Sequence, residues 1–365
     1  MTSYSIAVLA GDGIGPEVID ESVKALKAIA QRFGHQFELA QALVGQAAID
    51  IEGISISEDT VQLCHRADAI LFGAVGGGTT GDPSAKTQPE HALFRLRKEF
   101  ELFANVRPIK PFQALLNAST IRAEVLTGVD MVVVRELTGG LYYGRPSEIG
   151  TNASGTYAVD TMVYTEAEIE RILRYAFALA RSRRQHVTSV DKANVLSCSR
   201  LWRRTADRLA EEFPDVTLRH LLVDACSMNL IRQPREFDVI VTENMFGDIL
   251  TDEASMITGS MGMLPSASLG TRQTAHGRFG LFEPIHGTAP DITGQHKANP
   301  LAAILTAAML LRYSLRLTEE ADAIENAVAK VVDSGLRTPD IFTPGGSPVD
   351  TVAMGDAVSA AILAG

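Results

Sequence analysis

The stretch FDVIVTENMFGDILTDEA (237–254) contains the pattern that decides the fold. Its first half is a short apolar, β-branched run and its second half reads as a helix, so a strand is predicted to lead into a helix. The same order recurs at IAVLA (6–10), which precedes a predicted helix from Pro16 to Phe33, and at MVVVREL (131–137). Repeated strand–helix units predict an α/β protein with a largely parallel sheet.

The helical half of this stretch places Asp248 and Asp252 on one helix face, where two like charges repel each other modestly. A third carboxylate, Asp224, ends another predicted strand, TLRHLLVD (217–224). All three could be acids at helix starts, which is a common structural role. A carboxylate set without a His or Cys partner suits a hard cation, Mg²⁺ or Mn²⁺, rather than zinc.

Three arginines are candidate anion ligands. Arg97 lies on an amphipathic helix, Arg107 follows the short strand LFANVRP, and Arg135 ends the run MVVVR. A single arginine is more often solvated or ion-paired, but Arg135 needs an anion or several acceptors at the end of a buried strand. Since a guanidinium matches a carboxylate bidentately, the set suits a substrate with two or more carboxylates.

Two residues are candidate proton carriers. Lys192 follows a predicted strand in SVDKANVL (189–196), and Tyr142 lies in the glycine-rich turn of ELTGGLYYG (136–144). Lysine and tyrosine both serve as general acids or bases in enzymes. Either residue taken alone could equally be structural.

The segment GDGIGPE (11–17) resembles a dinucleotide fingerprint but has the wrong spacing. Its glycines fall at 11, 13 and 15, and Pro16 stands where the last glycine is needed, so the Rossmann interpretation fails. The long loop GLFEPIHGTAPDITGQHKANP (280–300) is a better candidate for a nucleotide site. His286, Asp291 and Asn299 could form its hydrogen bonds, and an Asp at the ribose favours NAD over NADP.

Composition limits the classes of partner and compartment. The net charge of −11 over 365 residues argues against nucleic acid or an anionic membrane as the main partner. The three cysteines, Cys64, Cys198 and Cys226, have no zinc spacing and suit a reducing compartment. The N-terminus has no signal-peptide pattern, and the run LAAILTAAMLL (301–311) is too short to span a bilayer. We therefore expect a cytoplasmic protein.

One stretch departs from the strand–helix alternation. GTYAVDTMVYT (155–165) alternates like an antiparallel strand and follows the loop GRPSEIGTNASG (144–155). A hairpin arm of this kind usually pairs with another strand, which makes a dimer plausible.

Taken together, the motifs resemble the β-decarboxylating dehydrogenase family, and the resemblance covers nearly the whole chain. They are GDGIGPE, LRKEFELFANVRP (96–108), VVVRELTGGLYYG (132–144), VDKANVL (190–196), VDACSMNL (223–230), ENMFGDILTDEAS (243–255) and the 280–300 loop. The resemblance implies a two-domain isopropylmalate/isocitrate dehydrogenase-like fold with a mixed sheet. The implied domains are 1–102 with 258–365, and 103–257.

The resemblance also implies roles for the charged residues. Arg97, Arg107 and Arg135 would hold the malate carboxylates. The three aspartates would bind Mg²⁺ or Mn²⁺, which would also explain why Asp248 and Asp252 tolerate each other. Lys192 would be the base and Tyr142 a proton donor. In this family Lys192 and Asp224 come from the partner subunit, so each site requires a homodimer.

The cofactor implied is NAD, bound by loops rather than by a Rossmann fold. Asp291 followed by Ile292 matches the NAD-using members, while NADP-using relatives typically have Lys and Tyr there. The implied cofactor ligands are Ile14, Gly76, Gly77, Glu283, His286, Gly287, Ala289, Asp291, Ile292 and Asn299.

Substrate choice is implied by the helix at 89–100. Glu90, Leu93 and Val195 fit an apolar pocket for an isopropyl group, and Phe94 departs from the Leu common among isopropylmalate enzymes. The implied reaction is oxidative decarboxylation of (2R,3S)-3-isopropylmalate to 4-methyl-2-oxopentanoate and CO₂, in leucine biosynthesis. Tartrate, malate, homoisocitrate and isocitrate are the alternative substrates, and a binding protein on the same scaffold is the alternative class.

Overall fold

A computed structural model describes residues 2–76 and 87–365, so the predicted cofactor ligand Gly77 lies outside the described residues. The strands are β1 (Ser3–Gly11), β2 (Gln36–Gln41), β3 (Ala69–Ala74), β4 (Ala104–Ile109), β5 (Met131–Glu136), β6 (Ser147–Asn152), β7 (Gly155–Asp160), β8 (His186–Asp191), β9 (Thr217–Leu222), β10 (Val239–Thr242), β11 (Pro265–Gln273), β12 (Arg278–Pro284), β13 (Leu336–Arg337) and β14 (Ser347–Pro348). The helices are α1 (Gly15–Phe33), α2 (Gln46–Glu52), α3 (Glu58–Arg66), α4 (His91–Glu99), α5 (Ala123–Leu126), α6 (Glu166–Arg181), α7 (Ser197–Ala210), α8 (Val223–Arg232), α9 (Asn244–Ser255), α10 (Leu301–Ser314), α11 (Thr318–Asp333) and α12 (Thr351–Ala364).

The chain divides into two compact units. The first comprises Met1–Leu102, Pro111–Ala123 and Ser255–Gly365, and the second comprises Phe103–Lys110 and Glu124–Ala254. The sequence places 111–123 and 255–257 with the second domain, whereas here they lie with the first unit. Their contacts give the reason: Ser119 Oγ donates to the Met256 carbonyl at 2.5 Å, and Arg337 Nη2 donates to the Ala114 carbonyl at 3.0 Å.

The first unit contains strands in the order β2-β1-β3-β12-β11. β1 pairs in parallel with β2 and β3, β3 pairs in parallel with β12, and β11 is antiparallel to β12. The helix α10 is buried along almost its whole length and packs against β12 and α1. The run 301–311 is therefore a core helix, and none of the helices in the described ranges is long and apolar enough to cross a bilayer.

The second unit contains strands in the order β4-β5-β10-β8-β9. β5, β10, β8 and β9 are parallel, and β4 is antiparallel to β5. The strand–helix unit predicted from 237–254 is β10 followed by α9, with β10 fully buried. Parallel and antiparallel pairs therefore occur in both units, as predicted for the mixed α/β fold.

The GDGIGPE segment is a tight turn between β1 and α1. A Cβ on Gly13 would lie 2.1 Å from the Thr288 carbonyl oxygen, and Gly13 has a φ of +60°, so glycine is required for this approach. Ile14 N donates to the same carbonyl at 2.9 Å. The turn is therefore fitted against the 280–300 loop and does not form a Rossmann fingerprint.

The predicted arm is the antiparallel hairpin β6–β7. Most of its side chains are exposed, including Ile149 at 79%. Its pairing with a second chain stays a prediction.

Candidate active site

The helix α9 carries a column of polar side chains at four-residue spacing: Asn244, Asp248 and Asp252. The helix begins directly after β10, and the carboxylate of Glu243 accepts the backbone N–H of Phe246 at 2.7 Å in its first turn. The Asn244 side chain is buried, whereas the Asp248 and Asp252 side chains are 37% and 59% exposed. The column therefore leads from the interior of the second unit to its surface.

Arg135 lies at the base of this column. It is 3% exposed, and its Nε and Nη2 both donate to Asn244 Oδ1, at 3.1 Å and 2.8 Å. Its Nη1 donates to Asp248 Oδ1. A Cβ on Gly247 would lie 2.5 Å from Arg135 Cγ, so glycine at 247 allows the arginine to run against the helix.

Tyr142 reaches Asp248 from the other side. It ends the 3₁₀ turn Gly140–Tyr142, and its hydroxyl donates to Asp248 Oδ2 at 2.8 Å. Burial, and then the neighbouring Asp248 carboxylate, raise the pKa of Tyr142 to about 12. The phenol is therefore protonated at neutral pH and can act as a proton donor.

Arg107 projects from β4 towards the end of the same column. Its Nε donates to Asn105 Oδ1 at 2.6 Å, its Nη1 donates to Thr251 Oγ1 at 2.5 Å, and Nη1 lies 3.9 Å from Asp252 Oδ1. Burial raises the pKa of Asp252, Arg107 lowers it, and Asp248 raises it. Two buried cations and two carboxylates thus form one cluster.

Lys192 and Asp224 form a separate pair. Lys192 follows β8, Asp224 lies in the first turn of α8, and Lys192 Nζ donates to Asp224 Oδ1. This hydrogen bond lowers the pKa of Asp224. Val195, from the same turn as Lys192, is 62% exposed.

The turn that carries Lys192 is fixed by buried groups. Asp191 accepts the Ala193 backbone N–H at 2.8 Å and is paired through both oxygens with Arg203, at 2.9 Å and 2.8 Å. Ser199 Oγ accepts the Lys192 backbone N–H at 3.0 Å. The backbone of Lys192 is thus anchored on either side.

The donor set suits a hard cation only in part. Asp248 and Asp252 supply carboxylate oxygens one turn apart at a partly exposed position, which fits Mg²⁺ or Mn²⁺. Among residues 2–76 and 87–365, no group of three His, Cys, Asp or Glu side chains comes together in a way that could hold a metal ion. Asp224 therefore does not join the α9 pair within a single chain.

The first unit contains the other predicted substrate residues. Arg97, 8% exposed on α4, donates through Nη2 to Glu283 Oε1 at 2.9 Å, so a predicted substrate ligand and a predicted cofactor ligand lie together. A Cβ on Gly76 would lie 2.8 Å from Glu90 Oε1. Leu93 is partly buried and packs against the hydrophobic core of the first unit.

The 283–299 segment combines buried polar groups with apolar ones. Nδ1 of His286 lies 3.0 Å from the Gly287 carbonyl, and its Nε2 is buried with no hydrogen-bond partner among the described residues. Burial lowers the pKa of His286. Asn299 Nδ2 donates to Asp340 at 3.0 Å. An unpartnered buried ring nitrogen fits a ligand that completes its hydrogen bonding.

Three predicted cofactor residues form one apolar cluster in the first unit. Ile14 packs in a group with Val18, and Ala289 and Ile292 pack against it. Asp291, between the last two, is exposed and fixed at its backbone, where its carbonyl accepts from Gln295 Nε2 at 2.7 Å. The structure thus brings both ends of the proposed nucleotide site, the β1–α1 turn and the loop, together.

The sequence reasoning missed several residues that support the site. Asn244 precedes Asp248 by the same four residues that separate Asp248 from Asp252, and this signal was present. Of the acceptors for Arg107, Thr251 had no sequence signal because it comes from another element, whereas Asn105 lies two residues before Arg107 on the same face of β4. Asp12, in GDGIGPE, accepts the Gln46 and Gly76 backbone N–H groups at 2.8 Å and 3.2 Å.

Comparison with known proteins agrees with this fold and residue set. The family model described as isocitrate/isopropylmalate dehydrogenase matches residues 5–358, so the chain belongs to that family and is a dehydrogenase. A solved isocitrate dehydrogenase from Methylococcus capsulatus has a TM-score of 0.86 and 34% identity, with 99% of each chain covered. A β-decarboxylating dehydrogenase from Thermococcus kodakarensis has a TM-score of 0.78 and 36% identity over 98% of this chain and 96% of that one.

The sequence relatives named next share one activity within this family. The 3-isopropylmalate dehydrogenase of Geobacillus kaustophilus is 53% identical over 363 residues, which are 100% of this chain and 96% of the relative. The 3-isopropylmalate dehydrogenase of Bacillus subtilis is 55% identical over 337 residues, 92% of this chain and 91% of the relative. The predicted family and enzyme class are confirmed.

Proposed function

We propose that the chain catalyses the NAD-dependent oxidative decarboxylation of (2R,3S)-3-isopropylmalate to 4-methyl-2-oxopentanoate and CO₂, a step in leucine biosynthesis. The observation that carries this proposal is the convergence of Arg135 and Tyr142 on Asp248. A candidate anion ligand, Arg135, and a candidate proton donor, Tyr142, thus both contact Asp248, a candidate metal ligand. The full-length similarity to relatives named 3-isopropylmalate dehydrogenase supports the choice of substrate.

Arg97, Arg107 and Arg135 would bind the malate carboxylates. Both arginines of the second unit are buried and oriented by short hydrogen bonds. A preset guanidinium loses little side-chain entropy on binding, so each can contribute fully to affinity. Asp248 and Asp252 would hold Mg²⁺ or Mn²⁺ beside them.

The chain supplies a proton acceptor and a proton donor for the reaction. Bound NAD would supply the hydride acceptor, and a divalent cation held by Asp248 and Asp252 would supply Lewis-acid polarisation of substrate oxygens. Lys192, acting through a water, would take the hydroxyl proton. After CO₂ leaves, Tyr142 would deliver a proton to the carbon that has lost it. The raised pKa of Tyr142 keeps that proton available.

The active site would be shared between two copies of the chain in a homodimer. Lys192 and Asp224 of one copy would complete the site formed by Asp248 and Asp252 of the other, giving the cation a third carboxylate. The exposed β6–β7 hairpin would contribute to the contact between copies. The free thiols Cys64, Cys198 and Cys226 fit a cytoplasmic enzyme.

NAD would bind along the β1–α1 turn and the 283–299 segment. Asp291 would accept hydrogen bonds from the ribose hydroxyls and repel a 2′-phosphate, which favours NAD over NADP. Ile14, Ala289 and Ile292 would form the apolar side of the site. His286, Asn299, Gly76, Glu283 and Gly287 would line the remainder, with Gly77 beyond the described residues.

Glu90, Leu93 and Val195 would receive the isopropyl group. Val195 has an exposed apolar side chain that could contact an isopropyl group. Leu93 is partly buried and packs against the core of the first unit. Isocitrate, homoisocitrate, tartrate and malate remain the alternative substrates, since each has the malate carboxylates that the arginines recognise.

The proposal is tested by following NADH formation with 3-isopropylmalate, isocitrate, homoisocitrate and tartrate, each with Mn²⁺ and with excess chelator. We expect chelator-sensitive turnover of 3-isopropylmalate far above the others. A preference for another acid would overturn the role of Glu90, Leu93 and Val195 while keeping the reaction type. Turnover that survives the chelator would overturn the metal role.

A further inference from the structure

The two buried arginines of the second unit each direct Nε to an uncharged oxygen atom. Arg135, 3% exposed, directs Nε and Nη2 to the carboxamide oxygen of Asn244 at 3.1 Å and 2.8 Å. Arg107, 6% exposed, directs Nε to the carboxamide oxygen of Asn105 at 2.6 Å and Nη1 to the Thr251 hydroxyl at 2.5 Å. Two different strands thus use the same arrangement of arginine Nε against asparagine Oδ1.

Other arginines of this unit are oriented by carboxylates. Arg203 binds both oxygens of the buried Asp191 at 2.9 Å and 2.8 Å. Arg183 binds Asp238 at 2.8 Å and Asp130 at 2.7 Å. Those carboxylates oppose the guanidinium charge. Arg135 and Arg107 also contact the carboxylates of Asp248 and Asp252, but these two are the candidate metal ligands. The asparagines fix the orientation of the arginines and add no negative charge.

We propose that Asn105 and Asn244 are positioning residues, which hold Arg107 and Arg135 in place and preserve their attraction for a dicarboxylate. The inference rests on the proposed function because it takes the malate carboxylates as the bound anion. An aspartate at either position has nearly the same shape as asparagine. It would place a full negative charge at hydrogen-bond distance from the guanidinium and weaken that attraction.

The two asparagines contact different arginines, and Asn244 also contacts the segment that leads to Tyr142. Its Nδ2 donates to the Gly139 carbonyl at 3.2 Å, in the segment leading to Tyr142, and its backbone N–H donates to the Tyr164 hydroxyl at 3.1 Å. Asn244→Asp changes the charge and also removes the Nδ2 donor. Asn105→Asp, on β4, adds a charge beside Arg107 and leaves the hydrogen bond between Asn244 and Gly139 in place.

The test compares Asn105→Asp, Asn244→Asp and the control Asn326→Asp, which makes the same change at an exposed position on α11. For each full-length variant with saturating NAD and Mn²⁺, kcat, the KM for 3-isopropylmalate and the melting temperature are measured. We expect the KM to rise at least about tenfold in both buried variants, with kcat nearly retained for Asn105→Asp. The KM is the deciding measurement, because burying a new carboxylate costs desolvation and Asn244→Asp also loses its bond to the Gly139 carbonyl, so both changes can lower the melting temperature.

A purely structural role would lower kcat at least as much as it raises the KM in both buried variants, and that result would overturn the proposal. An unchanged KM in both buried variants, or an equal rise in Asn326→Asp, would also overturn it. If the wild-type protein does not turn over 3-isopropylmalate, the proposed function fails by itself. In that case the dissociation constant of malate in the presence of Mn²⁺, measured by calorimetry, tests the positioning role. Weaker malate binding in Asn105→Asp and Asn244→Asp, but not in Asn326→Asp, supports the proposal.

Discussion

The second unit contains two charged groups that differ in how firmly they are held. Around Asp248, the cation is the buried Arg135, and Tyr142 approaches from the opposite side. In the other group, Lys192 and Asp224 are 29% and 56% exposed at their side chains and contact each other. The first group contains a buried cation fixed by several hydrogen bonds, and the second is a pair whose charges face solvent.

The pKa shifts of the two groups run in opposite directions. Burial raises the pKa of Asp252, next to the first group, while the hydrogen bond from Lys192 lowers the pKa of Asp224. At Asp252 the effect of burial outweighs the attraction of Arg107, whereas at Asp224 the hydrogen bond from Lys192 is the largest effect. The completion of each group by the other, from a second copy of the chain, stays a prediction.

The largest expected effect is that of Lys192→Met on turnover. Removal of the proposed base should lower kcat for 3-isopropylmalate about 10³-fold and leave the melting temperature nearly unchanged. The control is Lys110→Met, at a lysine in the same unit that is 72% exposed. A Lys192→Met enzyme that retained more than about a tenth of the wild-type kcat would remove Lys192 from the chemistry.

Asp252→Asn should weaken Mn²⁺ binding at least about tenfold because the cation loses a charged ligand. Since an ion that binds only the folded chain raises its stability, the measurement is the melting temperature as a function of Mn²⁺ concentration. The control is Asp207→Asn, at an aspartate on α7 whose side chain is 63% exposed. Its melting temperature should depend on the Mn²⁺ concentration as that of the wild type does. Equal Mn²⁺ midpoints for Asp252→Asn and wild type would contradict the metal assignment.

The smallest expected effect is a difference in pH dependence, measured on metal-free protein. The pKa of Asp252 in the folded state is raised above the usual value of an aspartate. The protonated form of Asp252 therefore contributes stability at low pH, and this contribution is lost as the pH rises through the folded-state pKa. Asp224 has a lowered pKa, so its contribution is present above the unfolded-state value and is lost as the pH falls through the folded-state value.

At neutral pH, Asp252→Asn should therefore raise the melting temperature by about 1–2 °C in the presence of chelator, a small shift because the group is half exposed. Asp224→Asn should lower it slightly. Melting curves over the acid range compare the two variants, and shifts of the same sign would show that the two carboxylates do not differ as described.

The fold was predictable from local pattern because its decisive features are local. The apolar run 239–242 with the helical spacing after it predicted β10 and α9, and the failed G-x-G-x-x-G spacing excluded a Rossmann turn. The alternation in 155–165 likewise predicted a strand, of which the structure forms 155–160 as β7 of the hairpin. The placement of 111–123 with the first unit was not predictable, because it depends on contacts with residues more than a hundred positions away.

The site was predictable where one residue type or one element carried the signal. Arg135 was identified because it is a cation at the end of a buried strand. Asp248 and Asp252 were identified by their spacing on one helix. Two partners of Arg107 were missed for different reasons. Thr251 meets Arg107 only after β4 and α9 come together, whereas Asn105 lies two residues before Arg107 on the same strand and could have been found from that spacing. The assigned roles in catalysis and cofactor binding stay predictions.

The central claim is that one active site combines Lys192 of one copy with Asp248 of another, and mixed dimers test it most directly. Inactive Lys192→Met and Asp248→Asn proteins are unfolded, mixed in equal amounts and refolded, and NADH formation from 3-isopropylmalate is measured. Shared sites predict that each mixed dimer regains one intact site, so activity returns to about a quarter of the wild-type value. If every site uses residues of a single chain, both sites of a mixed dimer contain a lesion. Activity that stays at the level of the separate variants, in a sample shown to contain mixed dimers, would contradict the account.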